Sequence, residues 1–496
     1  MHSRSALGIV LLVIGLLLPD RAVLAQGGAE TGQPSQSARF LEAVSRKWTG
    51  DLDGMIQRRI IRALVVYGKT SYFVDRGTQR GLSYEALKLF DDDLNKQLTA
   101  KKLLKHKHLR VQLVFVPVKR DQLIPALLEG RGDIAAAGLT ITPERDKLVD
   151  FSNPILAPVD EIVVTGPATP KIASLDDLSG QEIFVRKSSA YYENLQKLNA
   201  ELAKADKPPI SLKLAPESLE DEDLLEMLNA GLVHLVVVDH HVASFWAKIF
   251  PNIEVRPNLV INRGGEIAWM FREHSPKLQQ AINEFIAQYP VGNATRNEIL
   301  RKYLKSTKFV KDSTSEAELR KFRAAVDFFR KYGDRYSIDY LLMMAQGYQE
   351  SRLDQEVKSR VGAIGVMQVM PATGKSLTVG DIKQLEPNIH AGVKYIALMR
   401  NEYFGKEPMD ELNKDLFSFA AYNAGPGRIA GLRRLAAQRG LDPNVWFSNV
   451  EVVAAEKIGR ETVTYVGNIF KYYIAYKLVM EAQAERTKAK DATTTQ

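Results

Sequence analysis

The chain has 496 residues, 45% of them hydrophobic and 25% charged, with 33 Gly, 21 Pro and no Cys. This composition excludes a fibrous or wholly disordered chain, and the length suggests two to four compact units at about 150 residues each. The lack of Cys excludes disulfides, thiolate metal sites and a Cys nucleophile, while a formal charge of +8 suits an anionic wall, membrane face or nucleic acid without choosing among them.

Residues 1–25 have the pattern of a secretory signal. Arg4 stands without an acid, Ile9 to Leu18 form an apolar run, Pro19 and Asp20 break it, and Val23-Leu24-Ala25 precede a cut before Gln26. The run makes about 15 Å of helix, half a bilayer, which disfavours a stable anchor. Export is the expectation, and an uncleaved anchor is the alternative.

Residues 26–58 begin rich in Gly, Gln and Ser and are expected to form a mobile leader. Residues 59–303 alternate β-rich runs with amphipathic helices. The expected strands are Ile61–Tyr67, Val111–Val116, Ile134–Gly138, Glu161–Val164, Glu182–Val185, Leu212–Leu214 and Leu235–Val238. Helices are expected over Ser83–Gln97, Arg120–Glu129, Ala190–Ala203 and Glu220–Asn229. This alternation predicts a mostly parallel sheet in an α/β domain of two lobes. Residues 304–325 begin polar and read as a linker. A mainly helical domain is expected over 326–480, and 481–496 as a frayed polar tail.

The sharpest α/β segment is Gly132 to Arg145, followed by Val149-Asp150-Phe151-Ser152-Asn153-Pro154. A small-residue strand leads to the hydroxyls of Thr140 and Thr142 and the guanidinium of Arg145, whose fork matches a carboxylate. Such a clamp at the carboxyl end of a strand suits an anion or amino acid. The competing account has the threonines cap a helix and Arg145 pair with Glu144 or Asp150. With Thr-Ile-Thr-Pro-Glu-Arg and Asp-Phe-Ser-Asn-Pro, residues 60–303 resemble the periplasmic solute-binding proteins for amino acids. The resemblance implies two lobes closing on a ligand, with Thr140 and Arg145 binding from the first. Asp239 would hold an amino group from the second, beside Ser188 and Ser189 in a small polar loop. His240 and His241 after Asp239 depart from that pattern.

In the helical region, Tyr336 to Arg352 reads as one helix with Glu350 near its C-terminal end. The helix dipole and desolvation by Tyr348 and Met343 or Met344 should raise the pKa of that carboxyl. A protonated carboxyl near neutral pH suits general-acid cleavage of a glycosidic bond. The bland alternative is a surface pair with Arg352. Three more segments follow: Gly362 to Thr373, presenting Gln368; Ala420 to Arg428, with Tyr422 and Asn423; and Glu461 to Val466. Amides and aromatics beside an acid fit an N-acetylated sugar polymer.

In their order, Glu350-Ser351, Gly365-Val366-Met367-Gln368, Ala421-Tyr422-Asn423 and Glu461-Thr462 with Tyr465 resemble the lysozyme-like domain of the lytic transglycosylases. Asn388-Ile389, Gly392 and Tyr395 match its intervening helix. The resemblance implies that Glu350 is the sole catalytic acid/base. Ser351, Met367, Gln368, Tyr422, Asn423, Glu461 and Tyr465 would bind or position substrate. It also implies a polysaccharide lyase acting on peptidoglycan in the periplasm, peripheral to the outer membrane of a Gram-negative bacterium. The solute-binding domain would then sense a muropeptide or amino-acid effector. A hydrolytic muramidase, with Glu461 activating water, and a solute receptor tethered to the wall are the alternatives. No cofactor, metal or nucleic-acid partner is expected: His106 and His108 lie in a basic run, and Asp51-x-Asp53-Gly54 lacks the Glu of a calcium loop.

Overall fold

The computed structural model describes residues 46–75, 77–104, 108–307 and 316–494. The expected signal, the first part of the leader, the middle of the linker and His106 lie outside them. The end of the leader is a helix, α1 (Leu52–Arg58), capped by Asp51 and anchored by buried Leu52 and Met55.

Two lobes follow. The first holds β1 (Ile60–Val65), the short hairpin of β2 (Phe73–Asp75) and β3 (Thr78–Arg80), α2 (Leu82–Ala100) and β4 (Gln112–Pro117). It continues with α3 (Leu123–Leu128), β5 (Ile134–Thr140), α4 (Pro143–Asp146) and β6 (Asp150–Phe151). From β7 (Leu156–Thr165) the chain enters the second lobe: β8 (Glu182–Arg186), α5 (Ala190–Lys204), β9 (Ser211–Ala215), α6 (Asp221–Asn229), β10 (Leu235–Asp239) and α7 (His240–Trp246). It returns on β11 (Glu254–Phe271) to α8 (Pro276–Gln288) and α9 (Ala294–Leu300).

The main sheet runs β10-β7-β11-β5-β1-β4, with β6 beside β11. It is mixed rather than mostly parallel: β1 pairs in parallel with β4 and β5, but β11 is antiparallel to β5 and β7, and β10 to β7. The cause is β11, which is long enough to serve both lobes. Its Leu259 and Val260 join a core with Val163, Leu195, Leu225 and Trp246, while Trp269 and Phe271 join another with Ile61, Phe90 and Phe115. Each lobe thus buries its own apolar faces, and the paired strands β7 and β11 bridge them.

The rest is helical: α10 (Glu316–Tyr336), α11 (Tyr340–Ser351), α12 (Pro371–Leu377), α13 (Leu385–Met399), α14 (Glu411–Ala424), α15 (Pro426–Gln438), α16 (Glu451–Lys457) and α17 (Arg460–Thr494). Two expectations change here. The single helix expected over Tyr336–Arg352 is broken at Ser337, which has φ +54°, and restarts where the Asp339 carboxylate accepts the Leu341 N–H at 2.9 Å. The tail expected to fray continues α17 to Thr494. The helical core includes Phe329, Leu342, Val366, Phe417, Trp446 and Ile469, and reaches Ile60, Leu109 and Val114 of the first lobe. At that junction Arg59 grips buried Glu451 through two 3.0 Å bonds, and the Tyr476 hydroxyl donates to Gly77 O at 2.8 Å.

Candidate active site

Glu350 lies one residue before the end of α11, half-buried. The alternative, a surface pair with Arg352, is not made. Arg352 lies over the Tyr348 ring at 4.6 Å and bonds the Tyr472 hydroxyl at 3.3 Å. Tyr348 itself packs edge-on against Tyr472. The Tyr465 hydroxyl, on the first turns of α17, donates to Glu350 Oε1 at 2.5 Å. Burial pushes the Glu350 carboxyl up to about 7, against the downward pull of that hydrogen bond, and no second carboxylate contributes to the shift. Burial, and then the charge of Glu350, raise the hydroxyls of Tyr422 and Tyr465, which keeps both phenols protonated near the acid.

Gln346 is a residue that sequence reading missed. It is fully buried, and its Nε2 donates to the Tyr465 hydroxyl at 3.1 Å. An amide N–H can only donate, so the Tyr465 proton is directed to Glu350 Oε1 and the acid's own proton belongs on Oε2. The available signal was spacing: Gln346 stands one turn before Glu350 on the same face, a polar residue in an apolar run.

The loop from Gly362 to Met370 is held from beneath. Asn388, completely buried on α13, accepts the Met367 N–H at 2.8 Å and donates to Ile364 O at 2.8 Å and Ile382 O at 2.9 Å. Gly365 has φ +76°, and a Cβ there would stand 2.6 Å from Asn388 Nδ2. Gly392 gives Met367 its room, since a Cβ would come within 2.5 Å of Met367 Cγ.

The residues expected to line substrate divide into two groups. Met367 is fully buried and its carbonyl accepts the Tyr422 hydroxyl at 2.7 Å. Ser351 is buried and donates to Val366 O at 2.9 Å. Both brace the loop, so a direct side-chain contact with sugar is not available to them. Gln368, half-buried at φ +46°, uses its Nε2 on Gly365 O at 2.8 Å and Val357 O at 3.1 Å. Asn423 is exposed and accepts the Thr462 hydroxyl at 2.7 Å, and Glu461 is exposed in the first turn of α17.

A second cluster fills the cleft between the lobes. The Thr142 hydroxyl caps α4, accepting the Arg145 N–H at 3.3 Å. Arg145 is buried, and each guanidinium nitrogen is engaged: Nη1 with Thr140 O at 3.0 Å, Nη2 with Ser188 O at 2.9 Å and Nε with Glu193 Oε1 at 3.2 Å. The partner of Arg145 is therefore neither Glu144 nor Asp150 but a carboxylate of the opposite lobe. Ser189 caps α5 by accepting the Tyr192 N–H, and the Ser188 amide donates to Glu217 at 3.1 Å. Asp239 ends β10, buried, and pairs in register with buried Glu161 of β7. Arg120 and Glu220 form a further inter-lobe pair at 2.5 Å. Asp51, by contrast, caps α1 and accepts the Lys277 and Leu278 N–H groups.

Two family models match the chain: bacterial extracellular solute-binding proteins, family 3, over residues 69–306, and the transglycosylase SLT domain over residues 327–442. Membrane-bound lytic murein transglycosylase F of Desulfosudis oleivorans is 27% identical over 425 residues, 81% of this chain and 87% of that one. The protein of the same name in Pseudomonas fluorescens is 28% identical over 445 residues, 86% of each chain. Among solved structures, the substrate binding protein of an amino acid ABC transporter is 22% identical with a TM-score of 0.41, over 50% of this chain and 100% of that one. The chain is a homologue, over most of its length, of the membrane-bound lytic murein transglycosylases F, with a family 3 solute-binding domain ahead of a transglycosylase SLT domain.

Proposed function

We propose that the protein is a peptidoglycan lytic transglycosylase that cleaves the β-1,4 bond between N-acetylmuramic acid and N-acetylglucosamine and leaves a 1,6-anhydromuramyl end. The observation that carries this reading is a lone, half-buried carboxyl at Glu350, raised to about 7 and with no second carboxylate adding to its shift. Most glycosidases need two carboxylates flanking the bond. Here the protonated Glu350 gives its proton to the bridging oxygen as the anomeric bond breaks. The substrate's acetamido group stabilises the positive anomeric carbon. The Glu350 carboxylate then takes the proton of the C6 hydroxyl, whose oxygen closes the ring, so no water is consumed. An intramolecular nucleophile supplies what a second protein carboxylate would.

Digestion of purified sacculi in water labelled with heavy oxygen tests the reaction. Fragments should end in unlabelled 1,6-anhydromuramyl groups. Reducing ends carrying the label would instead establish a hydrolytic muramidase.

The hydrogen bond from Tyr465 sets the pH range of the acid. Because it pulls the Glu350 pKa down, Tyr465→Phe should move the alkaline limb of kcat/KM to higher pH than the wild-type limb near 7. It should also cost about tenfold in rate, through loss of carboxyl orientation. A limb that stayed in place would show that the phenol does not act on the acid.

The setting we infer is the periplasm, peripheral to the outer membrane: the relatives are named membrane-bound, and no helix among the described residues is long and apolar enough to cross a membrane. The upstream domain we read as a sensor of ligand, with wall-derived peptides and amino acids as the starting candidates. The junction supports this, since the hairpin residue Gly77 sits tightly between Tyr348 and Leu353, at the end of the helix that carries Glu350. Regulation requires a ligand with different affinity for two arrangements of the junction, and the sensing role fails if saturating ligand leaves the lytic rate unaltered.

A further inference from the structure

Three side chains of the helical domain form one directed chain of hydrogen bonds that ends on the acid. Gln346 is fully buried and its Nε2 donates to the Tyr465 hydroxyl at 3.1 Å, which in turn donates to Glu350 Oε1 at 2.5 Å. A phenol has one proton to give, so its direction is set by the groups around its oxygen. The reverse chain would also be self-consistent: Glu350 Oε1 would carry the acid's proton and donate to Tyr465, whose hydroxyl would donate to an overturned Gln346 amide. The amide decides between them. As it stands, Gln346 Oε1 is buried without a hydrogen-bond partner among the described residues. Overturned, it would put the N–H groups of Nε2 in that unpartnered place, and orphaned buried N–H groups are rarer than under-satisfied carbonyls. Burial and the charge of Glu350 raise the Tyr465 hydroxyl, while the bond from Gln346 pulls it the other way and so makes the phenol a better donor to the acid.

We propose that Gln346 is a positioning residue that holds this chain in one direction, so that a single oxygen of the acid, Glu350 Oε2, performs both proton transfers. The inference rests on the lytic reading above. With Oε1 taken by the Tyr465 proton, the acid's own proton sits on Oε2, the oxygen left to face substrate. That proton passes to the bridging oxygen, which leaves with the electron pair of the anomeric bond. A lone pair of the same Oε2 then accepts the C6 hydroxyl proton while the C6 oxygen bonds the anomeric carbon, and the acid returns to its starting form. Neither Tyr465 nor Gln346 has to turn between the two steps. A reversed chain would aim the acid's proton at the phenol, away from the sugar.

Gln346→Met is the discriminating variant, because methionine nearly matches glutamine in size and its thioether can accept but not donate. A carboxyl O–H is a stronger donor than a phenol, so the chain should then reverse. On glycan strands kcat should fall about five- to tenfold with KM unchanged, and the melting temperature should stay at or above that of the wild type, since an orphaned oxygen has left the core. Tyr465→Phe already lacks the chain, so adding Gln346→Met to it should slow the enzyme no further. The infrared carbonyl stretch of protonated Glu350, recorded in mild acid with no glycan present, should move to higher wavenumber in Gln346→Met as its carbonyl loses the phenol's hydrogen bond. An unchanged kcat, a loss that multiplies with that of Tyr465→Phe, a stretch that stays in place or a clear fall in melting temperature would each overturn the proposal. None of these outcomes bears on the lytic reading, which is decided separately by the end groups that the wild type leaves.

Discussion

Glu350→Gln is expected to lower cleavage of purified glycan strands by about a thousandfold or more, the loss that follows removal of a positioned general acid. The amide has the shape of the carboxyl and can still accept the Tyr465 hydroxyl, so the groove should keep its affinity for sugar. It can neither give a proton to the bridging oxygen nor take one from the C6 hydroxyl. The substitution has a second signature, in stability. The wild-type carboxyl titrates near 7 when folded and near the ordinary glutamate value when unfolded. Between those two values the unfolded chain releases a proton that the folded chain keeps, so stability falls as pH rises through that window. The Gln variant lacks this loss and should melt at a higher temperature than the wild type at pH values above 7, with little difference in acid. An inactive variant that is also less stable above pH 7 would point to misfolding instead of lost chemistry. Turnover, affinity for an uncleaved sugar oligomer and melting temperature across pH separate the cases.

The second large effect is expected at Asn388, which touches no substrate. Asn388→Ala removes an acceptor for the Met367 N–H and donors to Ile364 O and Ile382 O, all inside the core. Leaving these groups buried and unpaired should cost about 3 kcal/mol. For a helical domain of this size that is a fall of about 10 °C in melting temperature. Activity should fall further than stability at working temperature explains. The loop that positions Gln368 and receives the Tyr422 hydroxyl would lose its bonds to Asn388 on α13, and a small displacement of a positioning group is costly in rate. A variant with wild-type melting and turnover would show that the loop is held by something else.

Much of this was readable from sequence because the relevant signals are local. The runs that became β1, β4, β5, β8 and β10 are short, apolar and bounded by polar segments, and each forms within a residue or two of its expected place. The four ordered motifs placed Glu350, Tyr422 and Tyr465 in one neighbourhood. What sequence did not disclose depends on contacts between distant segments or on signals that compete. Strand β11 contains Pro257, Asn258, Gly264 and Gly265, which read as breakers. The strand tolerates them through register shifts against β7, and its return through both lobes makes the sheet mixed. The break before α11 was hidden because Ile338 continues the apolar periodicity, leaving Asp339 as the one start signal. The partner of Arg145 lies in the opposite lobe, so no local pattern could have revealed that its fork is engaged. The edge-on contact of Tyr348 with Tyr472 likewise arises between distant segments, where α17 packs along α11.

The proposed reaction depends on Glu350 keeping its proton to near neutrality, and the carboxyl can be observed directly. Infrared difference spectra of the wild type against Glu350→Gln, recorded across pH, isolate the carbonyl stretch of that one protonated acid. The stretch should persist through mild acidity and disappear with a midpoint of about 7. A midpoint in the ordinary glutamate range, about 4.3, would mean that the acid is already ionised at working pH and would contradict the mechanism.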